Sequence, residues 1–215
     1  CIFVDEGLGG TVNNSQLQKS ICCVTDEFSA VNCLETIKQG FEVKLLICYE
    51  TREDVIHLVK IIDKILPRML RSEIELEFYK ISKFGKNSED VLSKNTLITN
   101  ILIKSAKEKK ISHISLSTSP LIYPSKYVET LQKRIFSAGM IPHIPLSGID
   151  SEIMKNAKEI GMEKYISKIE KFLKIDLAKS NKKAIKNEKI TKKIIKIKLG
   201  PNNVHTILDS LEIEH

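Results

Sequence analysis

The chain has 215 residues, 42% hydrophobic and 28% charged, with a formal net charge of +7. That length supports one sizeable core with room for a small appendage, and the composition excludes wholesale disorder. Its apolar runs, such as Val43–Cys48, are far too short to span a bilayer, and no basic-then-apolar leader opens the chain. With no initiator Met, the expectation is a piece of a longer protein or a chain lacking its start.

In chain order, Cys1–Val4 reads as a short β-type run and Gly7–Gly10 (GLGG) as a flexible turn. Thr11–Lys19 is polar and linker-like. Ser20–Val24 (SICCV) predicts a buried strand, and Phe28–Gln39 a helix with Val31, Leu34 and Ile37 on one face, stopped by Gly40. Val43–Cys48 is the second strand. Thr51–Leu66 is an amphipathic helix ended by Pro67. The rhythm continues with a strand at Ile74–Ile81, a helix at Ser88–Lys109, a strand at Ile111–Leu116 and a helix at Tyr127–Ala138 ended by Gly139. Ile141–Leu146 is interrupted by prolines and fits only a sheet edge or a strand end. Ser151–Ile160 reads as a helix ended by Gly161.

Strands and helices alternating at this spacing predict an α/β fold, a doubly wound, mainly parallel sheet of five strands in the Rossmann-like manner. Ligands in such sheets bind outside the strand carboxyl ends. The loops to inspect are therefore Thr25–Ser29, Tyr49–Thr51, Ser117–Ser125 and Ser147–Ser151. After Gly161 the pattern loosens. Lys193–Leu199 (KIIKIKL) alternates like an exposed strand, and Pro201–Leu211 reads as a closing helix.

The charge is unevenly placed. Lys168 to Lys198 holds twelve lysines against Glu170, Asp176 and Glu188, a net of +9, so the rest of the chain carries −2. Such a block suits a polyanion such as RNA; a solvated charged tail is the blander reading. The five cysteines, Cys1, Cys22, Cys23, Cys33 and Cys48, form no CxxC and have no histidine at ligand spacing, so zinc is not expected. Reduced thiols buried in a cytoplasmic protein are.

Three stretches read together resemble a known family. GLGG precedes the first core strand, Lys38–Val43 (KQGFEV) joins a helix end to a second strand, and Pro145–Asp150 (PLSGID) is followed by a helix ending in Ala157–Gly161 (AKEIG). Over Cys1–Ser167 the chain is similar to the PP-loop domain of the ThiI-type tRNA 4-thiouridine sulfurtransferases. The resemblance implies a tail end of an RNA-binding THUMP domain with its linker over 1–19 and a PP-loop-like domain over 20–167; the lysine-rich extension over 168–215 lies beyond it. It also implies a cytoplasmic, tRNA-modifying context.

In that family ATP adenylates a uridine and a persulfide sulfur displaces AMP. The phosphate loop, Ser-Gly-Gly-x-Asp-Ser, falls here on Val24-Thr25-Asp26-Glu27-Phe28-Ser29. Both glycines are replaced, Phe28 stands for the Asp, and Ser29 alone is retained. Asp26 and Glu27 place carboxylates where the family holds pyrophosphate, which repels polyphosphate unless a metal intervenes. The second motif, Thr-Gly-Glu-Ser, falls on Leu116–Ser119 and keeps Ser119. No cysteine follows Cys48 to match the family's late thiol.

The eroded nucleotide site is thus Thr25, Asp26, Ser29 and Ser119, and no catalytic residue or metal site is assigned. ATP with Mg would require a remodelled loop. Lys179, Lys182, Lys183 and Lys186 are the candidate RNA contacts. The leading reading is a degenerate domain that binds tRNA without normal ATP pyrophosphatase activity. The alternatives are an active sulfurtransferase with a rebuilt loop, and a structural or dimerisation module. Ser147–Ser151 (SGIDS) mimics a phosphate loop, but helix capping by Asp150 or Ser151 explains it better. His113 and His143 read as structural histidines and His57 as a surface residue. Tyr123 and Tyr127, with Lys126 and Lys133, read as a solvent-exposed helix start that could stack bases.

Overall fold

The computed structural model describes residues 17–69, 71–118, 123–145, 155, 158–161 and 190–213. The strands are β1 (Lys19–Val24), β2 (Glu42–Tyr49), β3 (Glu73–Lys80), β4 (His113–Ser115), β5 (Ile141–His143) and β6 (Thr191–Lys198). The helices are α1 (Glu27–Lys38), α2 (Arg52–Ile65), α3 (Ser88–Lys109), α4 (Ser125–Ser137) and α5 (Asn203–Ser210), with a 3₁₀ turn at Leu66–Arg68.

Local chemistry sets these boundaries. Asp26 and Ser29 form a reciprocal capping box that opens α1, and Gly40, at φ +92°, takes the left-handed turn that ends it. Thr51 and Asp54 do the same for α2, and Pro67 closes its last turn. Asn87 caps α3. That helix ends on Lys110 at φ 55°, where the Ile111 N–H reaches back to the Ala106 carbonyl at 2.9 Å, the Schellman pattern.

The strand order is β5-β4-β1-β2-β3-β6. β1 to β5 are parallel. The chain steps outward from β1 through β2 to β3 with α1 and α2 on one face. It then returns to lay β4 beside β1, with α3 and α4 on the other. Alternate side chains of the ICCV run therefore enter different cores. Cys22 and Val24 join the cluster under α1, α2 and α5, while Ile21 and Cys23 join the cluster under α3 and α4. The crevice between β1 and β4 is the topological switch point, and the β1–α1 loop lies at its mouth.

The sheet has a sixth strand beyond the five expected. β6 pairs antiparallel with β3, from Glu73 opposite Lys198 to Lys80 opposite Thr191. Its alternation puts Ile195 and Ile197 into the α1–α2 core at 4% and 1% exposure, while the lysines stay outside. The strand read as exposed thus has one core face. β4 and β5 are shorter than expected, three residues each, and β5 with Pro142 takes the edge position that its proline demands.

Candidate functional site

The β1–α1 loop is tied to itself. The Ser29 hydroxyl accepts the backbone N–H of Thr25 at 2.8 Å and that of Asp26 at 3.1 Å, and it donates to the Asp26 carboxylate at 2.9 Å. That carboxylate also accepts the Ser29 N–H at 2.8 Å. Sequence reasoning placed Thr25, Asp26 and Ser29 together, and the structure brings them together, in a cap. The fourth residue, Ser119, lies outside the described residues, as do Lys179, Lys182, Lys183, Lys186 and the SGIDS segment.

This arrangement differs from a phosphate cradle. A phosphate cradle needs loop N–H groups aimed outward and small residues that let the ligand approach. Here the Thr25 and Asp26 N–H groups are spent on Ser29, and the Asp26 carboxylate holds the α1 N-terminus where an anion would bind. Beside it Glu27, 8% exposed, accepts a hydrogen bond from His57 Nε2 at 2.7 Å. His57 is 59% exposed at its side chain, as expected of a surface residue, yet it pins α2 to the start of α1. Two acids at a helix N-terminus complement its dipole and need no ligand.

The described residues of the neighbouring loops at the carboxyl edge are also held internally. Glu50 forms an ion pair with Lys94 of α3 and accepts the Phe84 N–H at 3.2 Å, fixing the loop after β3. Thr118, in the stretch aligned with the second ATP motif, is 4% exposed and turned inward. Under the crevice, Asn32 Nδ2 donates to Ser115 Oγ at 2.8 Å, and Thr36 Oγ1 lies 2.8 Å from the same oxygen. This buried polar cluster joins α1 to β4, and sequence reasoning missed it. Its only signal was the pair Asn32 and Thr36, one helical turn apart on an otherwise apolar face of α1. Among the described residues no group of three or more His, Cys, Asp or Glu side chains could hold a metal ion.

The aromatic patch differs from expectation. Tyr123 and Tyr127 are partly buried, with ring centroids 6.3 Å apart. The Tyr127 hydroxyl donates to the Leu92 carbonyl at 2.7 Å and lies 3.0 Å from Thr96 Oγ1, fastening α4 to α3. Burial pushes the Tyr123 phenol up to about 12, and the nearby Asp26 carboxylate adds to the rise. Tyr123 therefore stands at the crevice mouth as a neutral hydroxyl. Lys126 and Lys133 are exposed, but the rings they flank are engaged in packing, so no free stacking platform results.

The histidines expected to be structural are so. Phe41 packs against His113 and His143 at 5.3 and 4.8 Å, and Ser20 Oγ is 3.3 Å from His143 Nε2. Burial lowers the His143 pKa, and the neighbouring His113 ring adds to the fall. A lowered folded value means that the unfolded chain binds the proton more readily. The contribution is complete above the ordinary histidine range and is lost as pH falls through it. Thermal midpoints measured down an acid series should fall less steeply for His143→Phe than for the native chain.

No protein-family model matches the sequence, and no curated protein does. Among solved structures, the fold is similar to the crystal structure of a 4-thiouridine synthetase–RNA complex with bound ATP. The two align with a TM-score of 0.51 at 16% identity, over 81% of this chain and 55% of that one. The crystal structure of PH1313 from Pyrococcus horikoshii Ot3 aligns over 67% of this chain and 41% of that one, at 16% identity. Its TM-score of 0.42 is too low to carry an argument. This chain spans about half the length of the synthetase it matches, and at this identity the likeness is one of fold. The described domain is ThiI-like in its α/β architecture, as its motifs anticipate.

Proposed function

We propose that this chain is a ThiI-like domain that associates with tRNA and runs no ATP chemistry at its β1–α1 loop. The observation that carries the second half is the capture of the Thr25 and Asp26 N–H groups by Ser29. The first half is supported by the fold likeness to a synthetase solved in complex with RNA and by the lysine block between Lys168 and Lys198. In this reading an upstream THUMP domain of a longer chain shares the RNA, and the protein works in the cytoplasm. Two observations agree with that setting. Cys22, Cys23, Cys33 and Cys48 are free thiols, and no described helix is long and apolar enough to cross a membrane.

The test is tRNA binding as a function of salt. Changing Lys179, Lys182, Lys183 and Lys186 together to glutamine should lower the slope of log K against log salt by up to about 4, roughly one per lost phosphate contact. An unchanged slope would remove the lysine segment from the interface. Release of AMP or pyrophosphate that depends on tRNA would instead favour an active sulfurtransferase with a rebuilt loop.

A further inference from the structure

A doubly wound sheet ordinarily buries both faces. Here α3 packs mainly on β1 and β4, and α4 on β5, so the described helices leave the β6 edge of that face open. Ile194, on that face opposite Glu77, is 49% exposed. Between the open face and the C-terminal half of α3 runs a cleft of about 280 Å³, lined by Lys19, Lys44, Glu75, Glu77 and Lys109 together with Leu45 and Leu46.

The registers show how its charges are arranged. Lys44 of β2, Glu75 of β3 and Lys196 of β6 form one row across the sheet. One row on, Glu77 is 1% exposed and is held by Lys109, by Tyr79 Oη at 2.9 Å and by Ser105 Oγ at 3.3 Å. Lys192 Nζ lies 3.6 Å from Glu77 and 3.8 Å from Glu108. Lys104 stands one helical turn before Glu108, on the same flank of α3. Glu77 and Glu108 are thus engaged by lysines of the cleft. Lys19, Lys44, Lys104 and Lys196 form no ion pair among the described residues, although Lys19 lies across from Glu42 and Lys104 one turn from Glu108. Six lysines meet three glutamates around the cleft, and of the six only Lys109 and Lys192 form an ion pair among the described residues.

We propose that this cleft seats the sugar–phosphate backbone of an RNA strand, with Lys19, Lys44 and Lys104 as the phosphate contacts and Glu77 anchoring the lysines beneath. The inference rests on the RNA reading above. It names a surface on the α3 side of the sheet, away from the β1–α1 loop. Charge complementarity decides the occupant. A face edge that the described helices leave uncovered, with spare ammonium groups beside it, suits a polyanion, and the exposed Lys19 and Lys104 can follow it with little rearrangement.

The test uses the full chain and an unmodified tRNA transcript. The triple variant Lys19→Gln, Lys44→Gln, Lys104→Gln should weaken binding about tenfold or more at low salt and lower the salt slope by about 3. A control carrying Lys38→Gln, Lys60→Gln and Lys133→Gln, exposed lysines elsewhere, should bind like the native chain. Circular dichroism melts of both variants separate lost binding from lost folding. Binding by the cleft variant equal to the control's would overturn the cleft and leave the tRNA reading standing. A native chain that fails to bind tRNA at low salt would overturn both.

Discussion

Replacing Glu77 with alanine is expected to lower the stability of the chain by about 2–4 kcal/mol, read from urea unfolding midpoints. Glu77 is a carboxylate in the middle of a core strand, 1% exposed. Burial alone would raise its pKa, but the hydrogen bonds from Lys109 and Tyr79, with the charges of Lys109 and Lys192, outweigh it and hold the group below the usual carboxylate range. Alanine leaves the Tyr79 hydroxyl and the Ser105 hydroxyl without their shared acceptor. Tyr79 is 8% exposed and Ser105 1%, so neither turns readily to water. Lys109 and Lys192 keep 23% and 33% side-chain exposure and can be rehydrated, which is why the loss falls short of that for a fully buried ion pair.

The same group sets an acid limit. Its folded pKa is depressed, so its contribution is present above the unfolded carboxylate value and is lost as pH falls through the folded one. Native and Glu77→Ala stabilities should converge in acid. A difference that persists unchanged at low pH would show that packing, and not the charge network, holds this part of the sheet.

Ser29→Ala is expected to cost about 1–3 kcal/mol. One hydroxyl satisfies two backbone donors and completes the capping box of α1, and Ser29 is 2% exposed. The Thr25 and Asp26 N–H groups would lose their acceptor at a site with little access to water. In a phosphate loop the equivalent change would leave stability nearly unaltered and abolish ligand binding. An unfolding midpoint equal to that of the native chain would argue that the loop is held by something other than this cap.

Much of the fold is legible in the sequence because local signals agree with one another. The interval Ser88–Lys109 matches α3 at both ends, since Asn87 supplies a cap and the periodic apolar pattern stops at Lys110. Gly40 and Gly139 mark the ends of α1 and α4, where the chain takes a positive φ. β6 was half legible. Its alternation is visible in KIIKIKL, but strand pairing across more than a hundred residues, with β3 as the partner, is a tertiary fact. The lysines that dominate the segment drew attention to the solvent side and away from Ile195 and Ile197.

At the β1–α1 loop the sequence marks a helix start but not how its side chains are used. Thr25, Asp26 and Ser29 adjoin one another at the start of α1, and only coordinates show Ser29 turned back onto the loop N–H groups. A sequence offset of three fits a capping box and a phosphate loop equally well, because both are built on the same helix N-terminus. Tyr127 was misread for a related reason. Two tyrosines beside lysines look like a surface patch until the α3 carbonyl of Leu92 is found within reach of the hydroxyl.

The most direct measurement of the central claim is a calorimetric titration of the chain with Mg-ATP to concentrations of about a millimolar, the upper range of ordinary nucleotide affinities. With the Thr25 and Asp26 N–H groups occupied by Ser29, heats indistinguishable from dilution are predicted. Saturable binding that disappears when Ser29 is replaced by a bulky residue would contradict the account, and would mean that the loop opens into a working nucleotide site.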